Sequence, residues 1–197
     1  MYELLNWLKA TNVITKRDKV ITKSGLCYSF ETDIRSAFST FEHSIKTAKM
    51  IYNLIEFNGF DYFIGVPETG TVISFYLNLC RYNETLYDFP INYLRASPKI
   101  YQKETHSINT ILPSVSPNKI VLVEDDVVTG NSLYRSIDRV IDMGLELKGI
   151  LVLLDREAVV DNRTVRDHIT NHYGLSYQSL VNKQNIEDII ITLDKEG

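Results

Sequence analysis

The chain has 197 residues, 44% apolar and 23% charged, with a formal net charge of −4. This length predicts one domain able to bury roughly 70% of its unfolded surface without a disulfide or metal staple. Twelve tyrosines and eight phenylalanines argue against disorder, nine scattered glycines against a collagen-like chain, and the acidic balance against a nucleic-acid binder.

Met1 to Ala10 has acidic Glu3 and only Lys9 as a cation, so it lacks the basic flank and cleavage site of a signal peptide, and a cytoplasmic address is expected. Residues 1–40 read as a short helix followed by extended segments, a hood beside a sheet. Ile45, Ala48, Ile51, Leu54 and Ile55 then recur at helical spacing, with Gly59 where a C-cap is expected. Strands are predicted at Tyr62 to Val66 and Ile91 to Arg95. Ala96 to Asn118 shows neither period and contains Pro98, Pro113 and Pro117. Loops beyond ~12–15 residues are uncommon and usually serve as lids or binding loops. This one carries Lys99, Lys103 and His106 just after Arg95.

Further strands are predicted at Lys119 to Glu124, Gly149 to Leu154 and Ser176 to Val181, with a helical stripe of Leu133, Ile137, Val140 and Ile141 closed by Gly144. None of the apolar runs approaches the ~18 residues of a membrane helix. Alternating strands and helices predict an α/β domain over residues 1–197, with a mainly parallel sheet flanked by helices. Cys27 and Cys80 lack a paired spacing, which suits a reducing compartment. His168 and His172 have the i, i+4 spacing of metal ligands, but Ile169 stands where the zinc-protease motif has glutamate, so the metal reading is set aside.

The chemistry concentrates in Lys119 to Ser132. An apolar strand runs into Glu124, Asp125 and Asp126, then Val127 and Val128, then Thr129, Gly130, Asn131 and Ser132 leading into a helix. Open α/β sheets bind ligands past the carboxyl ends of their strands, where helix N-termini offer unpaired N–H groups to phosphate. The lysine of a nucleotide P-loop is absent. The carboxylates suit vicinal sugar hydroxyls and Mg²⁺ with its waters, so a sugar phosphate fits best.

These residues resemble the signature of the type I phosphoribosyltransferases. The resemblance extends over Thr22-Lys23-Ser24-Gly25, Asp33-Ile34-Arg35, the diphosphate-loop-like Gly65-Val66-Pro67-Glu68-Thr69-Gly70, the lid start at Arg95 and Lys99, and Leu153-Leu154-Asp155-Arg156-Glu157, which is similar to the orotate branch. It implies that ribose 5-phosphate passes from phosphoribosyl pyrophosphate to a pyrimidine base such as orotate, with Mg²⁺, in a twofold homodimer. The residues it implies are Lys99 on a catalytic lid, Glu124 and Asp125 at the ribose, and Lys23, Glu68, Thr69, Gly70, Arg95, Lys103 and Asp126 to Ser132 around phosphoribosyl pyrophosphate. Phe30, Glu31, Val128 and Arg156 would meet the base, with Arg156 on the carboxylate of orotate.

Several positions depart from the family pattern: Asp126 replaces an apolar residue, Val128 a hydroxyl and Ala96 a lysine, Thr69 and Gln102 differ, and Glu31 adds a carboxylate beside the base. A transferase for another base, or an inactive phosphoribosyl pyrophosphate-binding regulator, are the alternatives. The missing basic surface or added DNA-binding segment disfavours the regulator.

Overall fold

The computed structural model describes residues 1–88, 92–96, 108–110 and 119–196. Helix α1 (Tyr2–Ala10) buries Leu4 and Leu8, one turn apart on one face. Its Trp7 indole N–H donates to Thr47 Oγ1 at 2.8 Å. Strands β1 (Ile14–Ile21) and β2 (Cys27–Thr32) form an antiparallel hairpin, and a 3-10 turn (Ile34–Phe38) follows. Helix α2 (Phe41–Tyr52) starts at Thr40, whose hydroxyl accepts the His43 N–H at 3.1 Å. Then come β3 (Tyr62–Gly65), α3 (Thr69–Thr85), β4 (Asn92–Leu94), β5 (Ile108–Thr110), β6 (Lys119–Val127), α4 (Asn131–Asp142) and β7 (Glu146–Asp155). A short α5 (Val165–His168) continues into a π-helical turn (Ile169–Tyr173), and β8 (Ser176–Val181) and α6 (Lys183–Glu196) end the chain.

Among the described residues, β3, β6, β7 and β8 make a parallel sheet in the spatial order β3-β6-β7-β8. Its central strands are almost continuously apolar because helices cover both faces. Alternation sends Phe63, Val121, Val123 and Leu151 to one side, against α1, α2, α3, α6 and the hood residues Val13, Ile14, Phe30 and Ile34. Tyr62, Ile64, Ile120, Leu122, Ile150 and Val152 face the other, against Leu133, Ile137 and Val140 of α4. The hood thus shares one apolar core with the sheet. No helix among the described residues is long and apolar enough to cross a membrane.

Several expectations are corrected. β6 continues past Glu124 through the carboxylates to Val127, with Asp126 opposite Leu154. Main-chain pairing with β7 needs no apolar side chain where the strand end opens to the cavity. Helix α2 stops at Tyr52, while Leu54 and Ile55 pack on the core from the connector, where Gly59 takes φ 66°. Of the strand predicted at Ile91 to Arg95, the described part is strand over Asn92–Leu94 and ends before Arg95, and it pairs antiparallel with Ile108–Thr110 inside the segment expected to lack strand. Ile141 is 48% exposed, off the buried stripe. Lys99, Lys103 and His106 lie outside the described residues. Gly144 does end α4: at φ 72° its N–H donates to Ile141 O (2.9 Å) and Leu145 N–H to Val140 O (3.3 Å), a Schellman close.

Candidate active site

Two strand-to-helix turns define the site. After β3, the Val66 N–H donates to Val123 O at 2.8 Å, the Pro67–Glu68 peptide is cis, and α3 begins at Thr69. The turn lies flat on β6. A Cβ on Gly70 would stand 2.6 Å from Val123 O, and one on Gly65 would overlap the Gly70 carbonyl, so this approach requires glycine at both positions. The free N–H groups and positive dipole end of α3 are thereby brought to the carboxyl end of the sheet.

After β6, Gly130 takes φ 76° and α4 starts at Asn131. Glu124 is only 3% exposed. Its Oε2 accepts the Ser132 hydroxyl at 3.2 Å and its Oε1 the Asp125 N–H at 3.3 Å. Burial, and then the neighbouring Asp125 carboxyl, push the Glu124 pKa well above the usual carboxylate range.

A cavity of about 760 Å³ joins the turns. It is lined by Lys23 from the β1–β2 turn, Glu68 and Thr69 at the start of α3, Ala96, Glu124, Asp125 and Asp126 on β6, and Ser132 on α4. Arg135 and Arg139 line it too, and the sequence reading missed them. Their signal was available: Ser132, Arg135, Ser136 and Arg139 share one helical face at i, i+3, i+4 and i+7. Burial, then the Arg135 charge, hold Arg139 below the usual arginine range.

A second cavity of about 560 Å³ takes Thr129 and Asn131, with Ser24, Tyr134 and His168. The Thr129 to Ser132 turn therefore serves two cavities. His168 belongs to an aromatic cluster, its ring stacked on His172 at 4.9 Å and tilted on Tyr134 at 4.6 Å.

Arg156, directly after β7, is 7% exposed. Its Nε donates to Asp126 Oδ1 at 3.1 Å, and its Nη2 to Asp126 Oδ2 and Thr32 Oγ1, each at 2.5 Å. The guanidinium lies 4.9 Å from the Tyr28 ring centre and 5.5 Å from that of Phe30. Tyr28, Phe30 and Thr32 alternate along one face of β2, a period-two signal that places Tyr28 and Thr32 beside the expected Phe30. The same alternation turns Glu31 away, to an exposed ion pair with Arg17 at 3.0 Å, so the structure does not bring it to Arg156. Val127 is buried in the core, and Val128 and Arg95 line neither cavity. Gly70 and Gly130 contribute backbone shape.

No protein-family model matches the chain. It is 28% identical over 155 residues to an orotate phosphoribosyltransferase of Methanosphaera stadtmanae, spanning 79% of this chain and 82% of that protein. It is 26% identical over 137 residues to one of Sulfurisphaera tokodaii, 70% of this chain but 65% of that protein, just under two thirds of its length. The solved orotate phosphoribosyltransferase of Aeropyrum pernix superposes with a TM-score of 0.69 at 21% identity, covering 98% of this chain and 99% of that one. The chain has the type I phosphoribosyltransferase fold. In this phosphoribosyltransferase fold, the acidic end of β6 and the starts of α3 and α4 meet at one cavity, where open α/β sheets receive ligands.

Proposed function

We propose that the protein transfers ribose 5-phosphate from phosphoribosyl pyrophosphate to orotate, giving orotidine 5-phosphate and diphosphate. The observation that carries this reading is the Glu124–Asp125 pair, set at a strand end and facing two helix starts across one cavity. The relatives named above support orotate as the base.

At the breaking anomeric bond, positive charge grows on the ribose and negative charge on the leaving diphosphate, so preorganised charge dominates catalysis. Asp125 and Glu124 accept ribose hydroxyls. The first turns of α3 and α4 receive phosphate oxygens, aided by Thr69, Ser132 and Lys23. Arg135 and Arg139 add positive charge on the same wall. The family resemblance assigns Arg95, Lys99 and Lys103 to the diphosphate end.

No group of three or more His, Cys, Asp or Glu among the described residues makes a metal cage. The oxygen donors of Glu124 and Asp125 nevertheless fit Mg²⁺, which commonly takes one or two carboxylates and completes its shell with substrate phosphates. When bound there, Mg²⁺ neutralises diphosphate charge.

The working form is proposed to be a homodimer. Val72, Phe75, Leu79, Tyr82 and Leu86 lie exposed along α3, an apolar strip suited to a second copy. The unpaired thiols of Cys27 and Cys80 support a cytoplasmic setting.

The test mixes protein, Mg²⁺, phosphoribosyl pyrophosphate and orotate, and follows loss of orotate absorbance with release of diphosphate. Coupled loss and release are expected, with Lys99→Ala lowering turnover far more than phosphoribosyl pyrophosphate affinity. Tight phosphoribosyl pyrophosphate binding without turnover overturns the reading.

A further inference from the structure

Arginine has five N–H donors in a fixed fork. In Arg156, the Nε donor and both Nη2 donors are taken by Asp126 and Thr32, while Nη1 is buried with no hydrogen-bond partner among the described residues. Thr32 donates its own hydroxyl to Asp126 Oδ2, closing a three-membered cluster. The next carboxylate, Asp155, is engaged elsewhere: its Oδ2 accepts the Tyr177 hydroxyl at 2.7 Å and its Oδ1 the Glu157 N–H at 2.8 Å. Asp126 is thus the carboxylate that neutralises Arg156.

A buried donor left unpaired is costly, so the Nη1 edge calls for an acceptor from a ligand. The guanidinium carbon lies over the Tyr28 and Phe30 rings, 4.9 and 5.5 Å from their centres, so the group carrying this edge is walled by aromatic side chains. Charge decides which acceptor. An ionised ligand carboxylate would meet an arginine whose charge is already matched, with the Asp126 carboxylate in the same cluster. An uncharged ring carbonyl takes the Nη1 hydrogens without that repulsion.

We propose that Asp126 is a specificity-determining residue which, by holding Arg156 as a neutral pair, opens the base site to uncharged pyrimidines and weakens its selection for a base carboxylate. This rests on the transfer reading above and deepens it.

The test compares orotate with uracil, which is orotate without its carboxylate, in the wild type and in Asp126→Asn. The variant keeps the shape and removes the neutralising charge. The orotate-to-uracil ratio of kcat/KM is expected to rise at least tenfold; an unchanged ratio, or one moved towards uracil, overturns the proposal. Calorimetric titration of each base into both proteins, with diphosphate and Mg²⁺ present, reads the same ratio as Kd. If neither base turns over, the transfer reading fails while the binding ratio still decides the role of Asp126. Thr32→Val, which loosens Asp126 and keeps both charges, serves where Asp126→Asn does not fold. It is expected to move the ratio about threefold the same way, and no movement overturns the proposal.

Discussion

The Asn78 carboxamide closes on both sides of the Phe63 peptide: its Oδ1 accepts the Phe63 N–H at 2.8 Å and its Nδ2 donates to the Phe63 carbonyl at 2.9 Å. Among the described residues β3 pairs with β6, and Asn78 on α3 supplies Phe63 with the hydrogen bonds a second strand would give. Asn78→Ala leaves two main-chain groups of a buried residue without partners and is expected to cost about 2–4 kcal/mol. A loss of that size lowers the thermal midpoint by roughly 5–15 °C in a chain of this size, measurable by calorimetry.

Glu124 imposes a pH dependence on stability. Its pKa is raised in the folded protein by burial and by Asp125, so below the ordinary value of 4.5 both folded and unfolded chains hold the proton and the site is neutral in its effect. Above it the unfolded chain ionises while the folded one retains its proton, so stability falls as pH rises towards the raised value. Glu124→Gln removes this slope. Its thermal midpoint is expected to exceed the wild type's at pH 7 by a few degrees and to match it near pH 4, while turnover falls at least tenfold.

The central strands were legible because β6 and β7 are buried parallel strands whose apolar runs carry their own signature. The extension of β6 through Asp125 and Asp126 was not, because pairing with β7 continues where side-chain polarity says loop. Lys23 and Glu68 were reached through the family resemblance of their turns, and both line the cavity. Arg135 and Arg139 were missed because a charged helical face ordinarily reads as solvated, and only the fold shows that this one borders a cavity. The partner of Arg156 was hidden for another reason: Asp126 and Thr32 approach it from sequence distances of 30 and 124 residues.

Arg135 and Arg139 are expected to act on phosphoribosyl pyrophosphate more than on the base. The double variant Arg135→Ala/Arg139→Ala should raise KM for phosphoribosyl pyrophosphate by about tenfold or more, equivalent to roughly 1.4 kcal/mol. KM for orotate should change less than threefold. Steady-state kinetics with each substrate varied in turn decides it; equal effects on both substrates count against an anion-binding role.

The apolar strip on α3 predicts that Phe75→Glu/Leu79→Glu gives a monomer, whereas the wild type is expected to run as a dimer in light scattering. Both residues are more than a third exposed in the single chain, at 54% and 37%, so the folded subunit is expected to tolerate the charges. Unchanged circular dichroism with halved mass is the expected pair of results.

The β1–β2 hairpin meets the site twice, through Lys23 at its tip and Thr32 at its end. Its middle is largely in solvent, while Trp7 ties the preceding helix to α2. Occupancy of the cavity should therefore be readable from outside the site. Nature has left a handle for this: the Cys27 thiol, next to the tip, is exposed, whereas burial pushes the Cys80 thiol up. A thiol-reactive dye is expected to go first to Cys27, one residue from Leu26 on the second cavity's wall, so a single unmutated protein is expected to report ligand arrival as a change in fluorescence.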